Sequence, residues 1–288
     1  MSHVLFEHGA DGVVVGDGWV AAYFATAVPW QERLSAIETT VATMNSDGAW
    51  GECRVESEVV DDEDWTSNWR RHFRPFRVGE RLVIVPAWED FTAGPGDLLL
   101  RIDPAMAFGS GEHATTHMAL TMLEELVEKD MTVIDVGTGS GILAIAAGRL
   151  GAGRVWAVDI DEAAVTAACA NVRANGMDDI IHVQQGSIAD LDVGPVDVII
   201  ANIVAGTIIK LAPQLAERLR STGWLVVGGI IEKRQGDVAS ALENAGLTIV
   251  QVLQKEDWIT MCATPGEGIL WQEDSHASYL CPPRGASR

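Results

Sequence analysis

Three places in this sequence carry side chains whose types and spacing suit ligand chemistry. The first is Val133-Ile134-Asp135-Val136-Gly137-Thr138-Gly139-Ser140-Gly141-Ile142-Leu143, an apolar strand that runs into a Gly-x-Gly-x-Gly turn and then opens a helix. Glycines at such a turn let the backbone take positive φ and let a ligand approach the main chain closely. The second is Asp159, eighteen residues after Gly141, at the end of the next apolar run. A carboxylate at the tip of that strand can accept hydrogen bonds from both ribose hydroxyls of an adenosine. The third is Asn202, delivered by the run Asp197-Val198-Ile199-Ile200. Open α/β sheets bind ligands at the carboxyl ends of their strands, so Asn202 points at the same cleft as Gly137 and Asp159. Its amide offers a donor and an acceptor, although asparagine is also common at helix starts.

Two cofactors use this geometry. A dinucleotide site has Gly-x-Gly-x-x-Gly, which would place a glycine at position 142, where Ile142 stands. Asp135 lies two residues before the first glycine, where the cationic aminoacyl end of S-adenosylmethionine would benefit from a carboxylate. Adenosylmethionine is therefore the expected cofactor, ahead of a nicotinamide dinucleotide. Asp161 reads as a helix N-cap.

Upstream, Ile102-Asp103-Pro104 leads through Phe108-Gly109-Ser110-Gly111-Glu112-His113 to Thr115-Thr116-His117. A glycine-rich turn with hydroxyls at a helix start is suited to lie across a bound ligand, and Phe108 is a candidate wall for an acceptor channel. His113 and His117 could share one helix face as metal ligands. However, Ala114 stands where the metalloprotease pattern has glutamate, and no third ligand is evident. No metal is expected.

These residues need a scaffold that brings strand ends together. From about residue 75 to 264, apolar runs at Leu82–Val85, Leu98–Ile102, Val133–Val136, Val155–Val158, Ile180–Val183, Val196–Ile200, Trp224–Val227 and Leu247–Leu253 give way, from Val133 on, to helical segments between them. Such alternation predicts a mostly parallel sheet covered on both faces. Trp258–Ala263 follows a tight turn, Lys255-Glu256-Asp257, and should pair antiparallel. Before this, the chain reads as strand, strand, helix over Gln31–Met44, and a strand at Cys53–Val59. Asp61-Asp62-Glu63-Asp64 then opens a short helix whose Trp65, Trp69 and Phe73 form a packing stripe. The expected division is 1–60 as a small N-terminal domain, 61–76 as a helical linker, 77–264 as the α/β domain and 265–288 as a loose tail.

Composition closes off other readings. Among 288 residues, 41 acidic side chains against 20 basic ones give a net charge of −21. A basic face for non-specific nucleic-acid binding is therefore not expected, and a cationic partner is compatible. Four cysteines (Cys53, Cys169, Cys262 and Cys281) lie far apart with no C-x-x-C pair, so neither a disulfide framework nor a thiolate metal site is indicated. Neither a signal peptide nor a membrane span is recognisable in the sequence, and a cytoplasmic location is expected.

Taken together, Asp64-Trp65 with Trp69 and Phe73, Val78-Gly79-Glu80-Arg81-Leu82 with Pro86-Ala87-Trp88, the Asp103 to Thr116 loop, and Asp135 to Ala147 resemble the methyltransferases of large-subunit ribosomal protein eleven. Asn202-Ile203-Val204-Ala205 and Lys255-Glu256-x-Trp258 extend the likeness, which covers roughly residues 10 to 264. The loop pattern is close to family-specific, whereas the glycine turn alone marks only the wider superfamily. The resemblance implies a Rossmann-like seven-stranded class I methyltransferase sheet beside a small ferredoxin-like α+β domain that recognises the substrate. It implies methyl transfer from S-adenosylmethionine to amino groups, on lysine side chains or the N-terminus, of a basic ribosomal protein, by a monomeric enzyme. A related N-methyltransferase acting on another protein or a small amine is the alternative.

Carried onto this sequence, the family's cofactor contacts fall on Thr116, Gly137, Asp159 and Asn202, and Gly139 joins them as the middle glycine of the turn. No dedicated proton acceptor is evident. The Pro-Pro-Tyr or Pro-Pro-Phe of enzymes that methylate planar nitrogens does not follow Asn202, which supports an aliphatic amine acceptor. Ser110 and Ala114 depart from the threonine and proline of the family loop. The N-terminal domain counts one strand and most of a helix short of a βαββαβ unit, with His3–His8 expected to be the end of its first helix. An exposed apolar face is expected there.

Overall fold

Short runs of Val, Ile and Leu separated by amphipathic segments bury both faces when parallel strands lie under helices, and the computed structural model has this arrangement. It describes residue 5 and residues 12–16, 19–24, 30–47, 53–57, 73–103, 111 and 113–266. The chain divides into two units, 1–71 and 72–288. The expected linker helix with Trp65 and Trp69 lies outside the described residues. So do the tail from 267 on and, Leu5 apart, the helix end expected at His3–His8.

In the first unit, β1 (Gly12–Gly16) pairs antiparallel with β2 (Trp19–Tyr23), and α1 spans Trp30–Asp47. Ile37 and Val41, one helical turn apart on α1, form its core with Leu5, and Val20, Ala22, Phe24, Cys53 and Val55 pack against them. The strand expected at Cys53–Val59 is corrected over its described part, because residues 53–57 carry no strand pairing. Its Cys53 is tied instead by a side chain. Asn45 donates its amide to the Cys53 carbonyl and accepts from the Cys53 N–H, both at 2.8 Å. One carboxamide thus takes the place of a sheet ladder.

In the second unit, β3 (Phe76–Val78), β4 (Leu82–Pro86) and β5 (Leu98–Ile102) form a separate three-stranded sheet, with β3–β4 antiparallel and β4–β5 parallel. The sequence pattern placed these runs in series with the parallel sheet, and that expectation is corrected. The reason lies at the free edge of β5. Arg101 N–H donates to Asn175 Oδ1 at 3.0 Å, and Asn175 Nδ2 donates to the Arg101 carbonyl at 2.7 Å. A helix side chain satisfies the polar groups that a further strand would otherwise meet. The β3–β4 turn is held likewise by Glu124, which accepts from the N–H groups of Glu80 and Arg81 at 2.7 Å each.

The main sheet contains seven strands: β6 (Thr132–Val136), β7 (Arg154–Asp159), β8 (Ile181–Gln185), β9 (Val196–Asn202), β10 (Leu219–Ile231), β11 (Leu247–Lys255) and β12 (Trp258–Pro265). Their order is β11-β12-β10-β9-β6-β7-β8, and β12 alone runs against its neighbours, as the tight turn predicts. Helices α2 (Ala114–Leu126), α3 (Ile142–Leu150), α4 (Glu162–Ala174), α5 (Ala205–Glu217) and α6 (Gln235–Asn244) complete the unit. Ile134, Ile199, Leu225 and Met261, from four adjacent strands, are fully buried in one core cluster with Ile208 and Leu215 of α5. From β6 the chain winds one way through β7 and β8, then crosses to β9 and winds the other way. The strand order therefore reverses between β6 and β9, where open α/β sheets form their ligand crevice.

Candidate functional site

The carboxyl ends of β6, β7 and β9 carry the residues singled out in the sequence. After β6 the chain turns through Gly137, Gly139 and Gly141 at φ +72°, +53° and +81°. Side chains with a Cβ disfavour that left-handed region. Gly137 is also sterically fixed, since a Cβ there would stand 2.2 Å from Ile203 Cγ2. The turn after β6 and the segment after β9 are thus in close contact.

Asp159 is bound into the same turn. Its Oδ2 accepts from Gly139 N–H at 2.9 Å and its Oδ1 from Asp161 N–H at 3.1 Å. Each carboxylate oxygen has a second lone pair, so both can still accept from hydroxyl groups of a ligand. Asp161 caps α4 by accepting from Ala163 N–H at 2.9 Å, as its position in the sequence predicts. Between the two acids, Ile160 is 79% exposed. The sequence reading passed over this residue, although an apolar side chain between two acids at a strand end was a visible signal. Its surface beside a ribose-competent carboxylate suits the flat face of a base.

On the other side of the switch point, Asn202 Nδ2 donates to Thr116 Oγ1 at 3.4 Å. Thr116 is buried at the start of α2, and its partner lies 86 residues away in sequence. Asn202 Oδ1 is buried and has no partner among the described residues. An acceptor desolvated without a donor is costly, so such an atom marks a place where a ligand or water completes the bonding.

Asp135 has a different place from the one its position suggested. It is completely buried, and its Oδ2 accepts from Thr138 Oγ1 at 2.7 Å and from Ala144 N–H at 3.1 Å. The carboxyl therefore braces the glycine turn and the first turn of α3 from within, with Oδ1 left unpartnered. Burial pushes its pKa up to about 7, against the two hydrogen bonds, which pull it down, and the nearby Asp159 charge adds to the rise.

His113 is the N-cap of α2. Its Nδ1 lies 2.9 Å from Thr115 Oγ1, and its ring stands edge-on to Trp258 at 4.8 Å between centroids. Burial holds the His113 and His117 imidazoles below their usual pKa, with Lys255 adding to the effect at His117 and Glu256 opposing it at His113. Among the described residues, no three His, Cys, Asp or Glu side chains are grouped to hold a metal. Phe108 and Ser110 lie outside the described residues.

Residues 2–265 match the family described as ribosomal protein L11 methyltransferase (PrmA). The chain belongs to that family. It is 39% identical over 259 residues to a ribosomal protein L11 methyltransferase of Bacillus cytotoxicus, covering 89% of this chain and 81% of the relative. A relative of the same name from Pelotomaculum thermopropionicum is 46% identical over 209 residues, which cover 73% of this chain and 68% of the relative. Among solved structures, a ribosomal protein L11 methylase from Lactobacillus delbrueckii subsp. bulgaricus superposes with a TM-score of 0.64 at 38% identity. That match covers 68% of this chain and all of the other. Membership of the family accounts for the class I methyltransferase sheet. The glycine turn, Asp159 and Asn202 stand together at the carboxyl ends of three of its strands. No described helix is long and apolar enough to cross a membrane.

Proposed function

We propose that this chain transfers methyl groups from S-adenosylmethionine to amino groups of ribosomal protein L11, on lysine side chains or the N-terminus. The observation that carries the reading is the bonding of Asp159 to Gly139 at the switch point, in a chain of this family. The residues present fit the cofactor. Asp159 keeps acceptor capacity for ribose hydroxyls, the glycine turn admits a ligand to its backbone, and the Thr116–Asn202 pair presents a hydroxyl and a carboxamide nitrogen at the neighbouring strand end. Ile160 supplies an apolar face next to Asp159.

The bound cofactor supplies an electrophilic sulfonium methyl. What the chain contributes is chiefly alignment, because holding reactants in an attack geometry is worth roughly 7–11 kcal/mol. Asp159 would hold the ribose hydroxyls of the donor, and the glycine turn with Thr116 and Asn202 would line the rest of its site. The acceptor amine must shed its proton before attack, and desolvation in the crevice favours the neutral form. A net charge of −21 favours a basic protein substrate and disfavours direct nucleic-acid contact. Residues 1–60 serve substrate recognition and 77–264 catalysis. The enzyme works in the cytoplasm as a monomer.

The test is transfer of labelled methyl from adenosylmethionine to purified ribosomal protein L11, with peptide mass spectrometry to place each methyl. Incorporation on lysine or N-terminal amines is expected, and Asp159→Ala should abolish it. Label entering a panel of small amines but never the ribosomal protein would overturn the substrate assignment.

A further inference from the structure

Two buried side-chain oxygens, one hydroxyl and one carboxamide, without partners among the described residues lie beside one glycine of the main sheet. Thr260 on β12 is fully buried, and its Oγ1, like Asn202 Oδ1, has no partner among the described residues. The strands that carry them, β9 and β12, flank β10 on either side. Gly228 on β10 is paired with Asn202 across the parallel ladder. On the other side, the register with β12 shifts between Val227 and Ile230, so Gly228 and Gly229 together oppose Thr260. This is a β-bulge, and Gly229 accommodates it at φ +76°.

The consequence is a missing side chain in a row of three. A Cβ on Gly228 would stand 2.7 Å from Asn202 Oδ1 and 3.2 Å from Thr260 Oγ1. Both atoms therefore crowd the same glycine, whose missing Cβ lets them approach; they make no direct hydrogen bond with each other, so a small side-chain shift or one bridging water would join them. Asn202 already spends an amide proton on Thr116, so its carbonyl oxygen needs a donor. A hydroxyl can supply one, whereas every neighbouring core side chain on β12, Ile259 and Met261, cannot. A lone buried hydroxyl in a strand that reads Trp-Ile-Thr-Met-Cys is costly unless it is used.

We infer that Thr260 is a positioning residue for Asn202. Its hydroxyl, through the space left by Gly228, holds the carboxamide in the orientation that turns Nδ2 to Thr116 and to the cofactor. The inference rests on the proposed placing of Asn202 at the cofactor, and the experiment separates the two.

Affinity for S-adenosylmethionine and for S-adenosylhomocysteine would be measured by calorimetry, with kcat and the cofactor KM at saturating ribosomal protein L11 and a melting temperature for each variant. Thr260→Val, which keeps shape and removes the hydroxyl, should weaken cofactor binding about five- to tenfold, the value of one hydrogen bond, and raise the cofactor KM more than it lowers kcat. Thr260→Ser should restore binding to within about twofold, a rescue that lost packing would not produce. Gly228→Ala should weaken binding by crowding the amide. In an Asn202→Ala background, Thr260→Val should cost nothing further, because the two residues act as one unit. If Thr260→Val does not fold, Thr260→Ala takes its place in the same cycle. Additive losses, or unchanged affinity in Thr260→Val while Asn202→Ala binds weakly, overturn the inference alone. Unchanged affinity in Asn202→Ala overturns the placing of Asn202 and the inference with it.

Discussion

Asp159 Oδ2 accepts the Gly139 N–H at 2.9 Å, which joins the tip of β7 to the glycine turn after β6 across twenty residues of sequence. The carboxylate is thus a structural brace and, in the proposed function, a ligand acceptor as well. Asp159→Asn would keep the size but lose the charge and half the acceptor capacity. We expect adenosylmethionine to bind about 10- to 100-fold more weakly, as losing charge-assisted hydrogen bonds implies. Calorimetric titration of the variant checks this, and a Kd within a factor of two would remove Asp159 from the cofactor site.

Gly137 combines positive φ with close contact. Gly137→Ala would need both a left-handed alanine and displacement of Ile203, whose Cγ2 lies 2.2 Å from the new Cβ position. A loss of about 1–3 kcal/mol in stability is expected, together with loss of cofactor binding. Adding Ile203→Ala relieves the collision and not the dihedral, so urea denaturation should show partial recovery of stability only.

Asn171 of α4 is buried and joins two loops. It accepts from Asp103 N–H at 2.9 Å and donates to the Ser140 carbonyl at 2.8 Å. Asn171→Leu removes both hydrogen bonds, the one to Ser140 in the interior and the one to Asp103 at a half-buried position, and a cost of about 1–3 kcal/mol is expected. Chemical denaturation of variant and parent measures it, and a change well under 1 kcal/mol would mean that water replaces both bonds.

Asp135 makes stability depend on pH. Its folded pKa is raised to about 7 by burial, while the unfolded chain ionises near pH 4, the ordinary value of about 3.9. The folded state therefore binds the extra proton between those values. The stability it contributes is whole below about pH 4 and is lost as pH rises through about 7. Asp135→Asn keeps an acceptor for Thr138 and Ala144 and has no proton to lose. The difference in unfolding free energy between parent and variant should shift in favour of the variant from about pH 5 to about pH 8. A difference that stays constant with pH would show that Asp135 is already ionised in the fold.

Much of the scaffold was readable because its signals are local. The apolar runs of β6, β7 and β9, the glycine turn and the Asp161 cap each lie within a few residues, where backbone preference and periodicity act. The reversed direction of β12 followed from a turn too short for a crossover. By contrast, β4 and β5 have the composition of strands in the main sheet, and nothing local tells which sheet they join. In the structure they join β3 in a separate sheet, and Asn175 occupies the β5 edge from 74 residues away. Cys53 lost its ladder to Asn45 in the same manner.

The sequence alone determined which residue types could bind adenosylmethionine, their place at strand ends, and the family resemblance they carry. Only the tertiary structure decided how they are wired. Asp135 turned inward to brace the loop, Thr116 met Asn202, and a bulge at Gly228 and Gly229 put Thr260 beside the glycine that Asn202 also approaches. The reason is physical. Turns and periodic faces are set by neighbouring residues, whereas burial, hydrogen-bond partners and raised pKa values depend on which distant segments the sheet brings within a few ångströms.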